Sequence, residues 1–111
     1  MCIRDRSQIK ALEDDQKRRA TRSLRDGIDR ILVDLLSLFR DVLLRQLDAG
    51  LEPVNVAASP AVAEVARTTD PAWTLAVMDA AATARRRIEA NVPPTLALEA
   101  MLVAAIRRSE S

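Results

Sequence analysis

Residues 24–48, LRDGIDRILVDLLSLFRDVLLRQLD, decide the fold. Leu24, Ile28, Ile31, Leu32, Leu35, Phe39, Val42, Leu43 and Leu47 recur at steps of three and four. That spacing puts them on one broad face of an α-helix. Arg25, Asp26, Asp29, Arg30, Asp34, Arg40, Asp41, Arg45 and Asp48 fill much of the remaining surface. Gly27 costs roughly 1 kcal/mol inside a helix relative to alanine, which points to a kink or a close helix contact there. Gly50 is expected to end the helix as a left-handed cap residue.

Upstream, residues 7–23 read SQIKALEDDQKRRATRS, with Ile9, Leu12 and Ala20 as a thin apolar seam. Glu13, Asp14 and Asp15 stand four residues ahead of Lys17, Arg18 and Arg19. Each such pair supports an exposed helix by ~0.3 kcal/mol. The segment reads as a solvated helix that links to something further upstream. Whether it joins 24–48 as one helix or breaks near Thr21–Ser23 is left open by the pattern.

Downstream, Pro53 holds residues 51–58 open as a loop. Ser59-Pro60 is a start signal for a short helix to about Arg67, with Ser as cap and Pro in the first turn. Asp70-Pro71 repeats it for a helix to about Asn91, with an apolar stripe of Trp73, Val77, Ala80, Ala81, Ala84 and Ile88. The three alanines allow a neighbouring helix to approach closely, and Trp73 is expected to anchor the core. Pro93-Pro94 opens a last helix to about Arg108, with Leu98, Met101, Leu102, Ala105 and Ile106 as its expected buried face. No stretch alternates with period two, so no sheet is expected. The predicted fold is all-α: a bundle of about four to five helices, built as a long helix, a short helix and an antiparallel pair.

Composition fits one small helical domain. Of 111 residues, 49% are apolar but only 2% aromatic, so the core must be aliphatic. Met1-Cys2-Ile3-Arg4-Asp5-Arg6 can be encoded by a frame of the transposon end used as a sequencing adapter, ATG TGT ATA AGA GAC AGN. Residues 1–6 are therefore expected to be an adapter scar, with 7–23 the linking helix, 24–108 the domain and 109–111 a tail. Without the scar, the 17 basic residues lose Arg4 and Arg6, the 16 acidic ones lose Asp5, and the net charge falls from +1 to zero. A neutral chain does not attract nucleic acid as a whole. The one cysteine, Cys2, lies in the scar, so the rest of the sequence offers no disulfide or thiolate. That suits a reducing cytoplasm. No apolar run approaches the roughly 20 residues of a membrane span.

The sequence holds no histidine for general-base or metal chemistry. Gly27 and Gly50 are its only glycines, so it has no glycine-rich phosphate loop. It points to no enzyme, no cofactor, no metal and no small-molecule substrate. What it offers is a charge ladder in which Arg25 can pair with Asp29, Asp26 with Arg30, and Arg30 with Asp34. Such a ladder is either a set of surface ion pairs, each worth ~0–1 kcal/mol, or a polar subunit interface. Arg85-Arg86-Arg87 is the densest basic spot, but three consecutive helical residues point three ways.

Two segments carry a resemblance. Lys17-Arg18-Arg19-Ala20-Thr21-Arg22, Arg25-Asp26, Asp29-Arg30, Val33-Asp34-Leu35 and Phe39-Arg40-Asp41-Val42-Leu43 resemble the actinobacterial pattern KxRATR, RDxxDR, VDL and YRDVL. Phe39 stands in place of that pattern's Tyr. Ile88-Glu89-Ala90-Asn91-Val92-Pro93-Pro94, running into Leu96-Ala97-Leu98-Glu99-Ala100-Met101, resembles IxxNVxPxLALEAM. Both belong to the C-terminal collar of the delta-prime subunits of bacterial DNA polymerase III clamp loaders. The resemblance implies a ring-forming helical domain that holds a pentameric ATP-driven loader together while it places the sliding clamp on primed DNA. It implies other loader subunits (tau/gamma and delta) as partners, with DNA met only indirectly, and a cytoplasmic location without membrane contact. The residues expected to carry the subunit interface are Arg22, Arg25, Asp26, Asp29, Arg30, Asp34, Arg40, Asp41 and Asn91. Replacing Arg25 and Arg40 by alanine is expected to weaken assembly and leave helix content intact.

Three other readings compete. The tau/gamma collar shares the architecture, but the arginine-rich stretch 17–22 favours delta-prime. Leu24-Arg25, Ile28-Asp29, Leu35-Leu36 and Leu38 resemble the first helix of all-helical chorismate mutases. That family expects Asp where Leu32 stands and a substrate-binding Arg where Val42 stands, and a dianionic substrate needs convergent cations. The dimerisation half of a helical transcription regulator is the third.

Overall fold

The computed structural model describes residues 2–110, with side chains from 5 to 107. It is an all-α structure of four helices: α1 (Cys2–Gln46), α2 (Ser59–Thr68), α3 (Pro71–Glu89) and α4 (Pro94–Glu110). A single 3-10 turn, Val56–Ala58, leads into α2. Met1 and Ser111, the outer ends of the expected scar and tail, lie outside the described residues.

The charged segment 7–23 and the amphipathic segment 24–48 form one unbroken helix. It runs through Thr21–Ser23 and through Gly27, beside which a Cβ would meet open space, so the expected close contact at Gly27 does not occur. At 1.5 Å per residue this helix is about 67 Å long, which sets the long dimension of the 70 × 31 × 19 Å molecule. The radius of gyration is 19.6 Å, against about 13 Å for a compact chain of this length. The excess comes from residues 5–24, which project beyond the other helices with nearly every side chain exposed.

The core lies between the middle of α1 and the α3–α4 pair. Leu32, Ala81, Ala84, Ile88 and Ala97 are buried together, flanked by Ile28, Leu36, Val92, Leu98 and Met101. Small side chains on both α3 and α4 bring those two helices close. Asp70 caps α3 as expected, its Oδ1 accepting from the Trp73 N–H at 2.8 Å. Trp73 packs edge-on against Phe39 with ring centroids 5.7 Å apart. The α3–α4 turn is made by Asn91 in a left-handed conformation (φ 67°) ahead of Pro93-Pro94.

Several expectations need correcting. Ser59 is inside α2 and caps nothing, because the 3-10 turn feeds directly into the helix. The chain leaves α1 through Asp48 (φ 50°) as well as Gly50 (φ 68°), so two left-handed residues make the turn. The residues expected as tail belong to α4 as far as Glu110. Leu102 and Ile106, expected to be buried, are each 56% exposed. The inward stripe of α4 runs through Ala97, Leu98, Met101 and Ala105, and one further residue turns a side chain by about 100°. Leu24 and Leu47 lie towards the two ends of the apolar face of α1, which the shorter α2 and α3 cover only in part, and Ile31 is exposed because it points about 100° away from the enclosed Leu32.

Candidate subunit interface

The polar residues of α1 divide into those that fold the chain and those left over. Asp41 belongs to the first group. Its side chain is wholly buried, and it accepts from the N–H groups of Val54 (3.0 Å) and Asn55 (2.8 Å) and from Asn55 Nδ2 (2.9 Å). Arg40 lies 3.5 Å from it. Burial alone would raise its pKa, but these backbone and side-chain donors and the Arg40 charge outweigh burial and hold it below the ordinary carboxylate range. Asp41 therefore pins the loop after α1 and is not presented to a partner, which corrects its assignment as an interface residue.

Asp29 is also committed internally. Arg85 donates to it through Nε (2.7 Å) and a second nitrogen (3.3 Å), a two-pronged bridge from α3 to α1. The Arg85 hydrogen bond lowers the Asp29 pKa, and Asp29 raises that of Arg85. Arg25 donates to Asn91 Oδ1 at 2.9 Å across a separation of 66 residues. None of the expected rungs forms among the described residues: Arg25–Asp29 is lost because both members find partners on the α3–α4 hairpin, while Asp26–Arg30 and Arg30–Asp34 stay open with all three side chains exposed. Of the three pairs expected upstream, only Asp15–Arg19 forms as an ion pair, at 2.9 Å. Asp29→Asn should give a small loss of stability that shrinks further in high salt, because both partners are about a third exposed and screened. Thermal melts at low and high salt would check it.

What remains is a row at four-residue steps along α1: Arg22, Asp26, Arg30 and Asp34. All four are exposed, and among the described residues none forms an ion pair. Arg40 is exposed further along. Beside the row, three residues before Asp34, Ile31 is an uncovered apolar side chain.

Sequence reasoning missed the latch at the other end of α1. Gln46 donates through Nε2 to Thr69 Oγ1 (2.9 Å) and accepts from the buried Thr74 hydroxyl (2.7 Å). It thereby joins the end of α1 to the α2–α3 junction. A glutamine at the end of an apolar stripe is the only signal it leaves in the sequence.

Among the described residues, no group of three or more His, Cys, Asp or Glu is placed to hold a metal ion. No helix of the described residues is long and apolar enough to cross a membrane. No family model, curated protein or solved structure matches this chain.

Proposed function

We propose that this chain is an oligomerisation domain of the clamp-loader collar type, of the delta-prime kind, which helps to hold a pentameric loader together in the cytoplasm. The observation that carries the reading is the alternating Arg22–Asp26–Arg30–Asp34 row, charged, exposed and without an ion-pair partner among the described residues. Alternating signs at regular spacing select a neighbour with the complementary order and penalise others. Ile31 beside the row supplies apolar area for such a contact. In this reading the α3–α4 hairpin and the Asp41-pinned loop hold α1 rigid as the joint. The resemblance of residues 17–43 and 88–101 to the collar pattern supports the same assignment.

The test is the solution mass of the chain by light scattering, alone and mixed with tau/gamma collar domains from the same organism. A monomer that shifts to a defined hetero-oligomer supports the ring joint. Arg30→Ala with Asp34→Ala should then weaken that complex at least tenfold while far-UV circular dichroism stays unchanged. A stable homodimer that ignores the partner would overturn the proposal in favour of a dimerising regulator.

A further inference from the structure

Where α1 leaves the hairpin, Lys17, Arg18, Thr21, Arg22 and Arg25 line one shallow groove. Four cations and a hydroxyl face it, with no carboxylate among its lining residues. Arg18, Arg22 and Arg25 follow at steps of four and three, so they share one face of the helix. None of the four cations forms an ion pair among the described residues. The guanidinium of Arg25 is held in place by Asn91 in the α3–α4 turn, and its Nε–H is shut off from solvent with no acceptor. Arg18 donates through Nε to the Asp14 carbonyl at 3.5 Å, whereas the side chains of Lys17 and Arg22 have no hydrogen-bond or ion-pair partner among the described residues. The groove is thus donor-rich, and its Arg25 end is positioned by the hairpin.

We propose that this groove takes two or three neighbouring phosphates of a nucleic-acid backbone that crosses α1 at an angle. This goes beyond the collar reading, in which DNA is met only indirectly, and does not depend on it. Planar guanidinium forks match phosphate oxygens two at a time. The cationic stretch is about two turns long, some 12 Å at 1.5 Å per residue, and Glu13, Asp14 and Asp15 bound it on the N-terminal side. An acidic protein helix laid along α1 would have to run past those carboxylates, whereas a crossing strand meets only the cations. The chain's two aromatic residues, Phe39 and Trp73, are spent on each other, so the groove has no platform for stacking bases. Contact is therefore to the backbone and independent of sequence.

The experiment is fluorescence anisotropy of a labelled DNA duplex titrated with the full chain across a range of salt concentrations. Contact with two or three phosphates predicts a slope of log K against log salt of roughly −2 to −3. Arg22→Ala should weaken binding and reduce that slope by about 1, and Arg22→Lys should restore most of the affinity. Arg22 is exposed, so its loss leaves the fold intact. Arg67→Ala, on α2, should change nothing. No binding at low salt, or equal losses from Arg22→Ala and Arg67→Ala, would overturn the proposal. Displacement of the duplex by polyglutamate at lower charge concentration than by unlabelled duplex would also overturn it, and would assign the groove to an acidic protein. The readout is oligonucleotide binding, so its failure leaves the mass measurement of the collar reading untouched.

Discussion

Leu32→Ala should cost about 2–5 kcal/mol of stability, the largest effect expected of any single truncation here. Leu32 is 1% exposed and is the largest apolar side chain fully enclosed in the core. Its neighbours in that cluster include Ala81, Ala84 and Ala97, whose short side chains cannot swing into the space it would leave. A cavity that does not collapse loses both the transfer free energy and the surrounding contacts. A domain of this size has only about 5–15 kcal/mol in total, so the variant should have a much lower urea midpoint or be unfolded in water. Leu102→Ala removes the same atoms from an exposed site and should stay within about 0.5 kcal/mol of the parent. Urea titrations followed by far-UV circular dichroism would check both. Equal midpoints for the two variants would mean that the core is not where the structure places it.

Asp41→Ala should cost about 2–4 kcal/mol by orphaning N–H groups that the carboxylate now satisfies. Val54 and Asn55 both donate to Asp41, and the one further tie of this loop segment to α1 among the described residues is Asn55 Nδ2 donating to Ser37 Oγ at 3.0 Å. Asp41→Asn keeps one acceptor oxygen and should fall between the parent and the alanine variant. The same carboxylate gives the fold an acid limit. Its pKa in the folded chain is below the ordinary value of 3.8, and that of Asp29 is lowered as well. Their stabilisation is therefore fully present above that ordinary value and is lost as pH falls through the lowered ones. Stability should be flat near neutrality and drop in acid, and Asp41→Asn should flatten the acid limb. A set of melts between neutral pH and strong acid reads this directly. An unchanged acid limb in Asp41→Asn would show that other carboxylates set it.

The elements legible in the sequence are those fixed by local chemistry. Asp70-Pro71 and Pro93-Pro94 place helix boundaries because a capping carboxylate and a proline ring act within a few residues. The apolar steps of 24–48 likewise locate the face of α1. They do not say how much of that face is covered: Leu24 and Leu47 are exposed because α2 and α3 are shorter than α1, and Ile31 because it lies at the edge of the stripe beside the enclosed Leu32. The candidate interface was harder to read. Spacing rules know only partners on the same helix, yet Arg25 reaches a residue 66 positions away and Arg85 reaches back 56 to Asp29. Asp41 looked like one more surface acid among Arg40 and Arg45. Only the fold brings the Val54 and Asn55 N–H groups to it.

The projecting half of α1 has a practical consequence for hydrodynamics. A 12.2 kDa chain stretched to 70 Å drags like a larger particle. On a sizing column it should elute early, where a compact dimer of its mass would run, even when every molecule is single. Its rotational diffusion should also be anisotropic, with tumbling about the long axis faster than end-over-end. Elution volume alone would thus mimic self-association, and scattered intensity, which reports mass whatever the shape, separates a long monomer from a true pair.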